Sequence, residues 1–261
     1  MKFPFRKKKK SPYGWFGNYA SWNEVSKLGD GYDKAGILEK TAAALTSVKS
    51  GMAVYERDSV LLDKRVLPYP LLSHILYTAM IKKAPLNILD FGGSLGTTYF
   101  NTKDFLPSCA CSNWNIVEQS HYVDFGRKYF QDQILQFYYT IEECMVENTI
   151  DVAILSSVIQ FLPSPHSFLE KLVGYKFDCL IIDRTFFINA KQDRLTLQKV
   201  WPSVYEASYP AWFFNEENFL NHFRKNYEIV ADFSSYVPEE GKIEIDNIPV
   251  GYSKGFCLKR Y

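Results

Sequence analysis

The segment Asn87-Ile-Leu-Asp-Phe-Gly-Gly-Ser-Leu-Gly96 constrains the fold more than any other stretch of the chain. An apolar run ends in an acid, a glycine cluster follows, and the residues beyond it suit a helix. Leu86–Phe91 is short and apolar, which fits a strand buried inside a parallel sheet. Asp90 falls at the carboxyl end of that strand, the side on which open α/β sheets bind ligands. Gly92, Gly93 and Gly96 let the backbone turn sharply and place no Cβ between it and a ligand. The spacing is Asp-x-Gly-Gly-x-x-Gly, which departs from the dinucleotide pattern G-x-G-x-x-G. A strand, a glycine turn and a helix with no ligand is the plain alternative.

From Leu86 onward strands and helices alternate, the signature of a parallel sheet. The strands predicted are Leu86–Phe91, Trp114–Glu118, Leu135–Tyr138, Asp151–Ser156 and Phe177–Asp183. Between them, Thr97–Leu106, Tyr122–Phe130, Ile141–Val146 and Pro165–Val173 read as helices. Asp193–Val200 and Glu216–Arg224 also read as helical. Tyr227–Phe233 and Lys254–Lys259 then close the sheet as a late antiparallel pair. Residues 11–84 read as a helical N-terminal extension. Ser21 and Glu24 have capping-box spacing. Asp33 can cap a helix running to about Ser50, with Ile37, Leu38, Ala42 and Leu45 as its apolar stripe. Arg57–Val66 and Leu71–Lys82 look like further helices. The expectation is a mostly parallel, seven-stranded Rossmann-like α/β domain over residues 85–261, capped by residues 11–84.

Composition limits the function classes. The chain has 261 residues and a net charge of +1, without the basic surplus of a general nucleic-acid binder. Its 18 Tyr, 20 Phe and 5 Trp suit both a core and a site with stacking walls. Five cysteines include no C-x-x-C, and Cys109 and Cys111 lack a second zinc half-site, so reduced thiols in a cytoplasmic protein and no metal are expected. No apolar stretch is long enough to span a membrane. Residues 1–10 carry Arg6 and Lys7 to Lys10 without an apolar region after them. They read as a disordered tail, or as a source of weak attraction to an anionic membrane surface.

The remaining motifs fall at strand ends. Glu118 ends the second strand, before Gln119, where a carboxylate accepts both ribose hydroxyls of a nucleoside. Thr140 opens the helix after the third strand, with Glu142 near the place of an adenine amino group. Ser156 leaves the fourth strand between cofactor and substrate. The fifth ends in Asp183-Arg-Thr185. Asp183 is the preferred general base, with His166 and His121 as alternatives. Arg184 can grip a phosphate or carboxylate bidentately, or serve in an ion pair. Arg57, Tyr209 and Trp212 are further candidates to orient a substrate; packing of the aromatic segment 205–214 against the core is the plain alternative for its rings.

The acid-plus-glycine loop fits S-adenosylmethionine (SAM) enzymes better than dinucleotide enzymes, with Ser94 where a middle glycine often lies. Five parallel strands followed by a late strand pair is the arrangement of class I SAM-dependent methyltransferases. The motifs Tyr13-Gly-Trp-Phe-Gly-Asn-Tyr19, Gly31-Tyr-Asp33, Tyr55-Glu-Arg-Asp-Ser59, Leu89–Gly96, Trp114–Gln119, Leu155–Phe161, Asp183-Arg-Thr185, Ala207–Trp212 and Gly255-Phe256 occur in order. Together they resemble the SAM-dependent methyltransferases of bacterial O-antigen and other surface-polysaccharide gene clusters. That resemblance implies SAM as cofactor, S-adenosylhomocysteine as product, and a glycan or glycan precursor as acceptor. Phe186 stands where the family commonly has proline. Two other classes remain open: a non-catalytic SAM-binding partner of polysaccharide enzymes, and a nicotinamide-dependent sugar oxidoreductase.

Overall fold

The computed structural model describes residues 11–31 and 36–261. The basic tail, and Asp33 with its expected capping role, lie outside the described residues. The chain opens with β1 (Gly14–Phe16), α1 (Trp22–Ser26) and α2 (Gly36–Lys49), then β2 (Tyr55–Arg57), β3 (Val60–Leu62) and α3 (Tyr69–Lys82). It continues through β4 (Leu86–Phe91), α4 (Thr97–Thr102), β5 (Cys111–Val117), α5 (Ser120–Tyr129), β6 (Leu135–Tyr138), α6 (Ile141–Glu147), β7 (Val152–Ser156) and α7 (Pro165–Gly174). It ends with β8 (Cys179–Ile188), β9 (Arg194–Lys199), β10 (Ser208–Phe213), α8 (Glu216–Asn221), β11 (Tyr227–Ser234), β12 (Ile243–Ile245) and β13 (Ile248–Arg260).

Strands β4 to β8 are parallel, in the spatial order β6-β5-β4-β7-β8. The chain first builds outward from β4 to β5 and β6, then restarts on the other side with β7. The gap between the carboxyl ends of β4 and β7 is therefore a topological switch point, where open α/β sheets hold ligands. β13 runs antiparallel to β8, and β11 pairs antiparallel with β13. This is the late pair expected from the sequence, and it completes a Rossmann-like sheet.

The sheet does not stop at seven strands. Among the described residues it has eleven, because β12, β1, β9 and β10 extend it beyond β13. β13 is long enough to take two outer partners in succession, β12 at its start and β11 at its end. Strand alternation gives the sheet two covered faces. Ile88, Ile116, Ile154 and Ile181 pack beneath α2, α3 and α5, whereas Leu89, Val117, Leu155 and Leu180 pack beneath α6 and α7.

Three expectations change. Arg57–Val66 is not a helix: it begins in the β2–β3 hairpin, whose turn residues Asp58 and Ser59 both have positive φ, 51° and 66°. Two successive left-handed residues match the twist of a tight hairpin, and the apolar run Val60–Leu62 is too short to show a period. Asp193–Val200 is not a helix either; β9 pairs with both β1 and β10. Leu195 and Leu197 pack with Val25 of α1, while Thr196 and Gln198 are buried on the other face, so burial on both sides blurs the alternation. The aromatic segment 205–214 holds β10. Consequently the N-terminal region is helical only in part, and β1 belongs to the main sheet. Ser21 does cap α1, its Oγ accepting from Glu24 N, while Glu24 Oε2 reaches one residue beyond the expected box and accepts from Ala20 N.

Among the described residues no disulfide forms, and no helix is long and apolar enough to cross a membrane.

Candidate functional site

At the end of β4 the chain turns at Gly92 with φ +73°, and a Cβ there would lie 2.4 Å from Val158 Cγ2. Gly92 N donates to Val117 O at 2.9 Å, tying the loop to the end of β5. Asp90 is buried, and its Oδ2 accepts from Trp114 Nε1 at 3.0 Å. Burial pushes its carboxyl up to about 7, against the Trp114 bond, which lowers it; the nearby Glu118 adds to the rise. Glu118 accepts backbone N–H bonds from Gln119, at 2.6 Å, and from Ser94. These bonds fix its carboxylate against the glycine loop, and burial pushes it up to about 7.

On the other side of the switch point, Asp183 is 1% exposed. Its Oδ1 accepts from Arg184 N at 2.9 Å and its Oδ2 from Ser156 Oγ at 3.3 Å. Burial raises this carboxyl to about 6; the Arg184 charge works in the opposite direction. Arg184 sits at φ +47° inside β8, a conformation costly for a side chain with a Cβ. Opposite it, the β8–β13 register slips at Gly255, where a Cβ would lie 2.8 Å from Ile182 O. Gln160 braces the same turn, donating to Ser157 Oγ at 3.3 Å and Arg184 O at 3.1 Å.

The Arg184 guanidinium does not pair with Asp183. It donates from Nε and Nη2 to Glu240 Oε1, at 3.0 and 2.6 Å, and from Nη2 to Asp58 Oδ2 at 3.0 Å. It thereby clasps the β2–β3 hairpin to the 3-10 turn Pro238–Gly241. Tyr55 and Tyr236 hydrogen-bond beside it. Glu56, fully buried, binds Thr97 Oγ1 and accepts from Ser59 N, joining the hairpin to α4. Burial pushes the Glu56 carboxyl up to about 7.

A cavity of about 280 Å³ runs between these groups. One wall is a cross-strand row on β1, β9 and β10, in which Trp15 faces Gln198 and Gln198 faces Tyr209. Phe161 meets Tyr209 edge-on at 5.4 Å, and Tyr205 Oη lies 2.9 Å from Tyr209 Oη. The ionic lining is Asp58, Asp90, Asp183 and Glu240 against Arg57 and Arg184; among the described residues no lysine or histidine lines it. Arg57 also reaches Asp58 and Glu239, each at 3.9 Å.

Of the residues singled out from the sequence, Asp90, Gly92, Gly93, Ser94, Ser156, Asp183, Arg184, Arg57 and Tyr209 line this one cavity. Gly96, Glu118 and Gln119 lie around the glycine loop without lining it. Thr140 caps α6, accepting from Glu143 N at 3.0 Å. His166 is elsewhere: its ring contacts Asp193 at 2.6 Å and His222 at 2.8 Å, against Phe214. The Asp193 hydrogen bond raises its pKa. His121 rests its ring on Tyr122, and Trp212, on the opposite face of β10 from Tyr209, packs with Val25 and Leu195. Sequence reasoning missed Glu56, Trp15, Gln198, Tyr236 and Glu240 as site residues. Glu56 and Trp15 lay within quoted motifs; Glu240 reaches Arg184 from 56 residues away, with no local signal.

No family model matches the chain, and no curated protein matches it. Solved structures do. The 1,6-didemethyltoxoflavin-N1-methyltransferase of Burkholderia thailandensis, with 1,6-didemethyltoxoflavin and S-adenosylhomocysteine bound, is 13% identical, covering 94% of this chain and 92% of that one at a TM-score of 0.43. An S-adenosylmethionine-dependent methyltransferase from Clostridium acetobutylicum is 8% identical over 72% and 89%, TM-score 0.45. Magnesium protoporphyrin IX methyltransferase from Synechocystis, with bound SAM, is 11% identical over 74% and 79%, TM-score 0.45. At identities of 8 to 13% and TM-scores of 0.43 to 0.45, fold and site rest on the strand order and side chains described above.

Proposed function

We propose that this chain is a SAM-dependent methyltransferase that methylates a hydroxyl of a sugar or glycan precursor. The observation that carries the reading is one cavity joining the glycine loop and Asp90, at the switch point, to the buried carboxylate of Asp183. The residues present fit the cofactor. The loop backbone admits a nucleoside, and Glu118, held by two backbone N–H groups, retains lone pairs for a ribose diol. The lining acids outnumber the arginines, which favours a cationic ligand. Among the described residues a dinucleotide's pyrophosphate would find Arg57 and Arg184 as cations here, and Arg184 is already paired with two carboxylates. This favours SAM over a nicotinamide cofactor.

SAM, when bound, supplies an activated methyl group. The chain's own residues orient the acceptor and take its proton. Asp183 is the base: its raised pKa lies near working pH, and each of its oxygens keeps acceptor capacity beyond the bonds from Arg184 N and Ser156 Oγ. Arg184 acts through the clasp, fixing the hairpin over the cavity, and Tyr209 forms a wall for the acceptor ring. Residues 36–84 serve as a cap on the catalytic unit formed by 85–261, and β1 joins that unit's sheet. The expected experiment is transfer of labelled methyl from SAM into a glycan extract. Asp183→Asn is expected to lower turnover by at least about 100-fold while S-adenosylhomocysteine affinity stays within a few-fold. Undiminished turnover would remove Asp183 from the role.

The basic residues before Ser11 add a weak attraction to anionic membranes. Full-length protein is expected to float with anionic liposomes more than a chain lacking residues 1–10; equal flotation contradicts this.

A further inference from the structure

Trp15 and Trp201 each line two cavities. One is the cavity described above; the second, of about 240 Å³, also takes in Tyr13, Phe16, Lys242 and Asn247. The two indoles stand at 66° with ring centroids 5.8 Å apart, side by side on the border that the two cavities share. Trp15 is held there from both sides. Its ring meets Phe186 edge-on at 5.5 Å and Phe213 at 6.0 Å, and its backbone pairs with Gln198 and Ile245. Trp15 Nε1 and Gln198 Oε1, neighbours in one cross-strand row, are both buried without a hydrogen-bond partner among the described residues. Gln198 is itself 9% exposed. A buried donor and a buried acceptor left unpaired are costly. A ligand hydroxyl answers both needs, since it accepts and donates.

We propose that the acceptor is at least two sugar rings long. The ring to be methylated occupies the first cavity, the next ring occupies the second, and Trp15 and Trp201 lie along the join. This rests on the methyltransferase reading above and extends it. The second cavity has the make-up of a sugar subsite: aromatic faces from Tyr13, Phe16 and the two tryptophans meet C–H faces, and Lys242 and Asn247 stand at the hydroxyl edge. Among the described residues its charges favour an uncharged ring over a phosphate, because Glu239 and Glu244 line it along with Lys242. Strands β1 and β12, which lie outside the seven-stranded core, and the residues beside them carry most of this surface. The added strands therefore set acceptor length.

The test is label transfer from SAM to a panel of hexose and deoxyhexose methyl glycosides and the corresponding disaccharides, with calorimetry of S-adenosylhomocysteine on the same samples. Wild-type protein is expected to use two-ring acceptors with kcat/KM about tenfold higher than one-ring acceptors. In Tyr13→Ala and Trp201→Ala that ratio is expected to fall toward one, with S-adenosylhomocysteine affinity retained as evidence of an intact fold. Both side chains are partly exposed, at 37% and 40%. S-adenosylhomocysteine binding with equal rates on one and two rings, or with no two-ring sugar methylated, overturns the subsite. Absence of S-adenosylhomocysteine binding by the wild type overturns the function on which it rests.

Discussion

Asp183 and Asp90 show how burial sets the properties of single residues here. Both are carboxyls at strand ends, and both are raised chiefly by loss of solvent. For Asp183 the consequence is kinetic. A base must be deprotonated to work, so kcat/KM is expected to climb about tenfold per pH unit below about 6 and to level off above it. A profile flat from pH 5 to pH 8 contradicts the assignment. For Asp90 the consequence is stability. Its folded carboxyl titrates near 7 and its unfolded one near 3.8, so the folded state holds the extra proton between those values. The stability associated with that proton is present at the acid end, declines as pH rises through this window, and is gone above about 7. Asp90→Asn keeps an oxygen for Trp114 Nε1 and removes the charge. It is expected to raise Tm more at pH 8 than at pH 5, the gain being at most about 4 kcal/mol at 1.36 kcal/mol per unit. An equal or lower Tm at pH 8 in thermal unfolding scans contradicts it.

At the scale of elements, legibility followed how much of the signal was local. β4, β6, α6 and α7 stand within a residue or so of where the sequence places them, because each has a short apolar run or a clear cap beside it. The late antiparallel pair was readable for the same reason. The β2–β3 hairpin and β9 were not. The hairpin's folded form depends on distant partners: Arg184 and Glu240 hold Asp58's loop, and Thr97 holds Glu56. The proposed cofactor half of the candidate site centres on one loop, whose acid-plus-glycine pattern is local in the sequence. The acceptor half is assembled from β1, β9, β10 and the 236–240 segment, and no local pattern announces that meeting. The clasp has its own prediction. Arg184→Met leaves Glu240 partly buried without its cation, a change that costs about 3–5 kcal/mol for a buried pair and less here, where Asp58 is half exposed. Limited proteolysis is expected to cut the 55–62 hairpin faster in this variant than in wild type. Unchanged cleavage there would show that Arg184 does not hold the hairpin.

For the whole molecule, the strand order places one cavity at the switch point and the added strands close its far side. Nine of the residues expected at a site from sequence meet in that cavity, drawn from β2, β4, the glycine loop, β7, β8 and β10. The two histidines offered as alternative bases do not, so of the three candidate bases only Asp183 lines it. The lining charge bears on the cofactor class at this scale, since among the described residues four acids and two arginines, one of them paired with two of those acids, suit a sulfonium better than a pyrophosphate. Titration calorimetry of the full chain with S-adenosylhomocysteine and, separately, with NAD therefore tests the central claim most directly. Saturable one-to-one binding of S-adenosylhomocysteine with no heat from NAD is the predicted result; binding of NAD alone would contradict the account.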